Sequence, residues 1–231
     1  MGVRAVRASS TVATMPRSPA CRALATALGA LAVLLLATPA GLASAGRCQA
    51  PLGATIIASD NGSKAWRVTT DGGPGAPDLR AWFACAPGQQ PFRFEHGDTG
   101  ADSLTDVPSA AIRGRYLAYG RMRKQGLGTS RAIIVVRDLV THRATFLRRA
   151  VSKTLELESF HQVVVRATGT VAWIASNIDG DGVRTSEVYM HDVGGTRRLD
   201  RGTGIAKHSL RLTPHGVQWR NRGVVRFAEL R

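Results

Sequence analysis

One loop of the sequence carries oxygen-bearing side chains at the alternating spacing that binds calcium. Asn177, Asp179 and Asp181 occupy alternate positions and Gly182 follows them, as in calcium loops of the D-x-[DN]-x-[DN]-G type. This spacing lets three side chains converge on one cation, while the glycine permits a tight turn. The pattern is incomplete, because Val188 stands where a twelfth-position glutamate would complete the ligand set. The loop predicts a weak Ca²⁺ site with no other cofactor, and a plain hairpin turn is the alternative.

Other side chains that could take part in catalysis are scattered along the chain. The sequence motifs of serine hydrolases, zinc peptidases and nucleotide-binding loops are absent from it. Six dispersed groups could still converge if the chain folds into stacked repeats. They are the histidines His161, His191 and His208 and the carboxylates Glu156, Glu158 and Asp200. We therefore assign no catalytic residue. If these groups do converge, the alternative function is that of an extracellular polymer hydrolase or lyase with acids at the mouth of the fold.

The first 45 residues have the organisation of a secretory signal peptide. Basic residues without any acid precede the apolar run 23–37, and Ala43-Ser44-Ala45 provides the small residues of a cleavage site. We expect cleavage after Ala45, which leaves residues 46–231 as one exported domain without a membrane span. An uncleaved membrane anchor is the alternative, and Met15 would start a signal peptide of more ordinary length.

Two cysteines, Cys48 and Cys85, remain after the expected cleavage. An exported protein with just two cysteines is expected to pair them. By the chain-entropy estimate, a loop of this length stabilises the fold by about 4 kcal/mol. The pair predicts a structural disulfide and leaves no free thiol for catalysis.

Positive charge dominates the expected mature part and is concentrated toward its C-terminal end. Residues 46–231 carry 27 basic and 16 acidic side chains, of which residues 111–231 hold 22 and 9. Such a field attracts anionic polysaccharides, cell-wall phosphate polymers, lipid head groups or nucleic acid. The alternative is an ordinary solvated surface, because the arginines are scattered and are not gathered with aromatic residues into a stacking platform.

Short alternating or β-branched runs bounded by Gly, Pro, Asn and Asp fill the chain after residue 53, which predicts an all-β fold of fifteen strands. Only residues 151–159 have a pattern that could form a helical turn. An Ala-aromatic or Gln-aromatic pair recurs at intervals of 53, 54 and 46 residues. The four pairs are Ala65-Trp66, Ala118-Tyr119, Ala172-Trp173 and Gln218-Trp219.

These anchors divide the chain into four units of about 54–95, 108–149, 161–205 and 207–231. A unit of four short antiparallel strands at this period is typical of a β-propeller blade, because one such sheet must stack on neighbours to bury its faces. We expect a small, about four-bladed or partial β-propeller, with a β-sandwich as the alternative. The fourth unit shows only three strands. Residues 47–52 would supply the missing strand in a closed ring, and an open stack would leave it missing.

The third unit resembles a known repeat. ATGTVAWIAS and EVYMHDVGGTRRLD, residues 167–176 and 187–200, are similar to the repeat of TolB-like periplasmic β-propellers. In that repeat a turn leads to an Ala-aromatic strand, then to a strand ending in Asp, a glycine turn and an Arg-Arg-Leu strand. GRYLAYGR and IIVVRDLVTHRATFL of the second unit match it less well. The resemblance implies the fold and a protein-binding or scaffold role, and it transfers no catalytic residue. The chain differs in having fewer blades and no separate N-terminal domain.

Together these features predict an exported, non-enzymatic binding or scaffold protein of the cell envelope or exterior. A blade rim or the basic face would bind a partner protein or an anionic envelope polymer. Intracellular nucleic acid is not an expected partner. The sequence assigns no oligomeric state.

Overall fold

The computed structural model describes residues 48–100, 104–124, 129–152 and 157–230, and these residues are all-β. No helix in these ranges is long and apolar enough to cross a membrane. The expected signal peptide and its cleavage site lie outside the described residues. The strands are β1 (Thr55–Asp60), β2 (Ser63–Thr70), β3 (Leu79–Cys85), β4 (Phe92–Asp98), β5 (Thr105–Arg113), β6 (Tyr116–Lys124), β7 (Ser130–Asp138), β8 (Ala144–Arg149), β9 (Leu157–Val165), β10 (Val171–Ile178), β11 (Arg184–Asp192), β12 (Gly195–Gly202), β13 (Arg211–Leu212), β14 (Gly216–Asn221) and β15 (Val224–Glu229).

The strands form four consecutive antiparallel units, three of them four-stranded, and the predicted all-β fold is confirmed. The units are β1–β4, β5–β8, β9–β12 and the three-stranded β13–β15. One parallel bridge between Ser130 and Leu157 joins the second and third units into an eight-stranded sheet. The helical turn predicted within residues 151–159 is wrong where the structure describes it, because Leu157–Val165 forms β9. Alternating burial along this strand shows why it packs as a strand.

Irregularities of the strand ladders repeat along with the sequence. The first strand of each of three units has a bulge, at Ile57, at residues 107–108 and at His161. A second shift recurs between the third and fourth strands, beside Trp82, Val136 and Val188. Bulges bend a strand and increase its twist. The repeat is therefore a repeat of backbone geometry as well as of residue type.

Hydrophobic clusters fill the spaces between consecutive units. One cluster holds Trp82 with Tyr119, a second holds Ile134 with Trp173, and a third holds Met190 with Trp219. The first strands of consecutive units also pack on one another: β1 packs on β5, β5 on β9, and β9 on β13. Among the described residues, none of the four hydrophobic clusters joins the fourth unit to the first. The described residues thus form an open, sandwich-like stack.

The recurring aromatic residue on the second strand of each unit also forms a polar contact with the preceding unit. Tyr119 donates its hydroxyl to Glu95 of β4 at 3.0 Å. Trp173 donates its indole N–H to the carbonyl of Ala150, just after β8, at 2.8 Å. Trp219 donates to Asp200 of β12 at 2.7 Å. These aromatic residues are buried, so each contact fixes one unit on the previous one.

The first unit has no preceding unit, and its outer face is closed in another way. The predicted disulfide between Cys48 and Cys85 is confirmed, with a sulfur–sulfur distance of 2.00 Å. It holds the N-terminal segment against Trp66, which stacks with Phe83. Residues 48–54 form no strand, so the described part of this segment does not complete the fourth unit.

The closest approach between two units tests the stacking. A Cβ on Gly120 of β6 would lie 2.1 Å from the ring of Phe160 in β9, which is itself buried. We expect Gly120→Ala to lower the free energy of unfolding by about 1–3 kcal/mol, because the ring must move in a packed core. Gly202→Ala is the matched control, since its Cβ would meet only Asn221 at 3.9 Å. Equal stabilities for the two variants in urea denaturation would contradict the packing.

Candidate functional site

The turns between the first and second strands of the units meet at one end of the stack. Successive antiparallel strands reverse direction, so the turns 60–63, 113–116, 166–171 and 213–216 face the same side. The turns 138–144 and 192–195, between third and fourth strands, lie at this end as well. We call these six turns the turn rim.

Aspartates organise the turn rim. Asp60 accepts hydrogen bonds from Arg113 at 3.0 Å and from the N–H of Gly114 at 2.9 Å, which ties the first unit to the second. Asp138 accepts the N–H of Val140 and a bond from Arg115. Burial would raise the pKa of Asp138, but these donors hold it below its ordinary value. The aspartates therefore stabilise turns as anions.

Asp192 repeats this arrangement 54 residues later in the third unit. It accepts the N–H of Gly194 at 2.9 Å and a bond from Arg197 at 2.9 Å. Cys85 occupies the corresponding position of the first unit, where the disulfide takes the place of the aspartate. The carboxylates of the turn rim are thus occupied by local donors.

Two arginines flank a groove in the centre of the turn rim. The groove has a volume of about 470 Å³, and its wall comprises Arg113, Arg166, Ala167, Thr168, Leu212, Thr213 and Pro214. Arg113 is the last residue of β5, and its side chain is 62% exposed. Arg166 donates to the carbonyls of Thr213 and Pro214. Within the described residues these acceptors are neutral and no carboxylate forms an ion pair with Arg166, so it contributes positive charge to the groove.

A smaller pocket adjoins the groove across the turn that carries Thr168. Its volume is about 240 Å³, and it is lined by Tyr116, Thr145, Phe146, Thr168, Gly169, Thr170, His191, Asp192 and Val193. The rings of Phe146 and His191 stack with centroids 4.0 Å apart. Burial holds the pKa of His191 below its ordinary value, so the ring is neutral near pH 7. The pocket presents aromatic walls and threonine hydroxyls.

The combined surface suits a ligand with both hydroxyl and anionic groups. Threonine hydroxyls donate and accept hydrogen bonds, aromatic rings provide apolar contact area, and the two arginines attract anions. Pockets with mostly apolar walls and a few placed polar groups are typical ligand sites. A sugar ring would fit this chemistry in the pocket, with its acidic substituent toward the groove.

The predicted calcium loop lies at the opposite end of the stack, in the hairpin between β10 and β11. Asp179 accepts the N–H of Val183 at 2.8 Å, and Gly182 has a φ of +76°, as a tight hairpin requires. Asn177 is buried and Asp181 is exposed. No group of three acidic, histidine or cysteine residues that could hold a metal occurs among the described residues. The Ca²⁺ site stays a prediction, and the hairpin accounts for the geometry of Asp179 and Gly182.

The three candidate histidines do not converge. His161, at the bulge of β9, lies 2.7 Å from the hydroxyl of Ser176. His191 pairs with Val171 at the start of β10, whereas His161 lies beside Ala175. Four residues along a strand correspond to about 13 Å. His191 is therefore part of the pocket and His161 is part of the core between strands.

The candidate carboxylates have structural partners. Glu158 is fully buried and accepts the N–H of Ala132 and a bond from Arg149. Asp200 accepts bonds from Trp219 and Asn221. Glu156 lies outside the described residues. The groove arginines belong to no known sequence motif. Their signal in the sequence is the repeat itself, because they are 53 residues apart and each lies at the end of the first strand of its unit.

Comparison of the chain with protein-family models, curated proteins and solved structures finds no match. The resemblance of the third unit to TolB-like repeats stays a prediction.

His161 gives the fold a specific dependence on pH. Burial, together with the charges of Lys207 and Arg184, lowers its pKa to about 4, against about 6.5 when unfolded. The unfolded chain takes up this proton first as the pH falls, so stability is lost between pH 6.5 and 4. The ring is partly exposed, and we expect a loss of about 1–2 kcal/mol from this residue. Urea denaturation should show that the loss of stability between pH 7 and pH 4.5 is smaller for His161→Gln than for the wild type. Equal losses would contradict the assignment of this pH dependence to His161.

Proposed function

We propose that this chain is an exported, non-enzymatic binding protein that holds an anionic, sugar-containing polymer of the cell envelope at the turn rim. The observation that carries the proposal is the groove flanked by Arg113 and Arg166 beside the pocket of Phe146 and His191. The two cavities share Thr168, so one chain of linked sugars can contact both. Arginine provides the charge and the pocket provides the ring contacts.

The charge of the molecule supports an anionic ligand. The expected mature part has 27 basic and 16 acidic residues, and the acids of the turn rim are occupied by arginine and backbone donors. The ion pairs Asp60–Arg113 and Asp192–Arg197 are close to neutral, so the positive field comes from arginines such as Arg166 that have no carboxylate partner among the described residues. That field raises the local concentration of a polyanion and falls as salt increases.

An extracytoplasmic site of action is supported by two features. The disulfide requires an oxidising compartment in most organisms, and the N-terminal sequence has the organisation of a signal peptide. The resemblance to TolB-like repeats adds a binding or scaffold role in the envelope. The hydrolase alternative has no comparable support, because Glu158 and Asp200 are bound by their neighbours.

The binding experiment compares two pairs of arginines. Arg113→Gln with Arg166→Gln removes two charges from the groove, while Arg123→Gln with Arg131→Gln removes two charges from a cross-strand pair at the opposite end. We expect the groove variant to weaken binding of alginate, a polyuronate, by about tenfold or more, a loss of about 1.4 kcal/mol. The control pair should have a much smaller effect. Calorimetric titration of each variant with alginate at low and high salt measures the two affinities. Neutral dextran is the uncharged control polymer.

Two outcomes would contradict the proposal. Equal weakening by both arginine pairs would mean that the polymer responds to overall charge and not to the groove. Affinity for alginate that does not change with salt would exclude the electrostatic contribution. Circular dichroism of each variant establishes that it is folded.

A further inference from the structure

In the part of the chain that the structure describes, the outermost strand of the fourth unit has an open edge. The other three units each have a fourth strand there, whereas β15 pairs with β14 on one side only. Its side chains are exposed along most of its length, with Val224 at 55%, Val225 at 54% and Phe227 at 47%. An exposed apolar edge strand is a template for pairing with another strand, and proteins usually blunt such edges.

The hairpin geometry shows which backbone groups of β15 face this edge. A two-residue turn with positive φ, Arg222 at +51° and Gly223 at +79°, joins β14 to β15, as in a type I′ hairpin. Asn221 and Val224 then form the hydrogen-bonded pair next to the turn. Because pairs alternate along an antiparallel ladder, Val225 and Phe227 direct N–H and C=O away from β14. These groups have no partner among the described residues.

We propose that a second copy of this chain pairs with this edge, β15 antiparallel to β15, with the two-fold axis at Phe227. The two copies would share one six-stranded sheet. Outward-facing residues must lie opposite one another for the new hydrogen bonds to form. This condition permits a set of registers that differ from one another by two residues. The side chains determine which of these registers is favoured.

Among these registers, the one centred on Phe227 has the most favourable side-chain pairs. It places the two Phe227 rings beside each other, where aromatic cross-strand pairs are favourable. The register centred on Arg226 would place like charges opposite one another, which is destabilising. The register centred on Ala228 would place Phe227 opposite Glu229. Only the Phe227 register places the two aromatic rings beside each other and keeps the arginines apart.

Charge complementarity also favours a second copy over an unrelated strand. Val225, Phe227 and Glu229 lie on one face of the sheet, and Val225 is the cross-strand neighbour of Arg220. In the Phe227 register, Glu229 of the second copy falls opposite Val225, in the row that contains Arg220. Because of the two-fold symmetry, this row of Glu229 and Arg220 occurs twice in the dimer. The carbonyl of Glu229 already accepts a bond from Arg197, and its second lone pair remains for the new ladder.

Cysteine crosslinking tests both the pairing and its register. Opposite residues of a hydrogen-bonded pair have Cα atoms about 5.5 Å apart, which lies within the range that a disulfide spans. Phe227→Cys should therefore form a covalent dimer on mild oxidation, because its partner is the same residue. Val225→Cys is the matched control and should not, because its partner is Glu229. The native Cys48–Cys85 pair remains in both variants.

A second experiment does not depend on new cysteines. Phe227→Lys and Phe227→Glu should each weaken the dimer of the purified protein by at least about tenfold, and mixing the two should restore it through opposite charges. Leu147→Lys, on exposed β8, is the control. Sedimentation equilibrium of the wild type and of the mixtures gives the result. A monomeric wild type at micromolar concentrations, or equal crosslinking of both cysteine variants, would overturn the proposal.

Discussion

The buried aromatic residue on the second strand of each unit is the contact on which the stack depends. A single four-stranded sheet cannot bury both of its faces, so each unit is stable only against a neighbour. Tyr119, Trp173 and Trp219 fill that space and donate a hydrogen bond to the preceding unit. The contact combines a large buried area with a fixed polar partner. It therefore determines both the distance and the lateral position of adjacent units.

Buried carboxylates complete the same interfaces. Glu187 of β11 accepts hydrogen bonds from the N–H and hydroxyl of Ser152 at 2.9 and 2.7 Å and from the hydroxyl of Tyr189 at 3.0 Å. Burial alone would raise the pKa of Glu187, but these bonds and the charge of Arg198 lower it below its ordinary value. A buried anion with this many donors links the second and third units. Removing one donor would leave a charge unpaired in the interior.

Local patterns of the sequence predict the strands and the repeat, because alternation, turn residues and spacing act over a few residues. Every one of the fifteen predicted strands overlaps an observed one, and the disulfide follows from having two cysteines after the expected cleavage. The groove was not predictable in the same way. Arg166 contacts residues 47 and 48 positions further along the chain, and such partners depend on how the units stack. The resemblance to TolB-like repeats likewise concerns single units and says nothing of how the units stack.

The two ends of the stack differ in a way that gives the molecule a direction. At the first unit, the disulfide-bonded segment lies on Trp66 and leaves a shallow groove lined by Val68, Phe83 and Pro91. At the last unit, no fourth strand among the described residues covers β15, and its exposed residues include Val225. A further unit stacked on the fourth would need an aromatic residue that contacts β15, as Trp219 of the fourth unit contacts Asp200 of the third. The proposed pairing of β15 with a second copy would use this uncovered end and would leave the turn rim of each copy exposed.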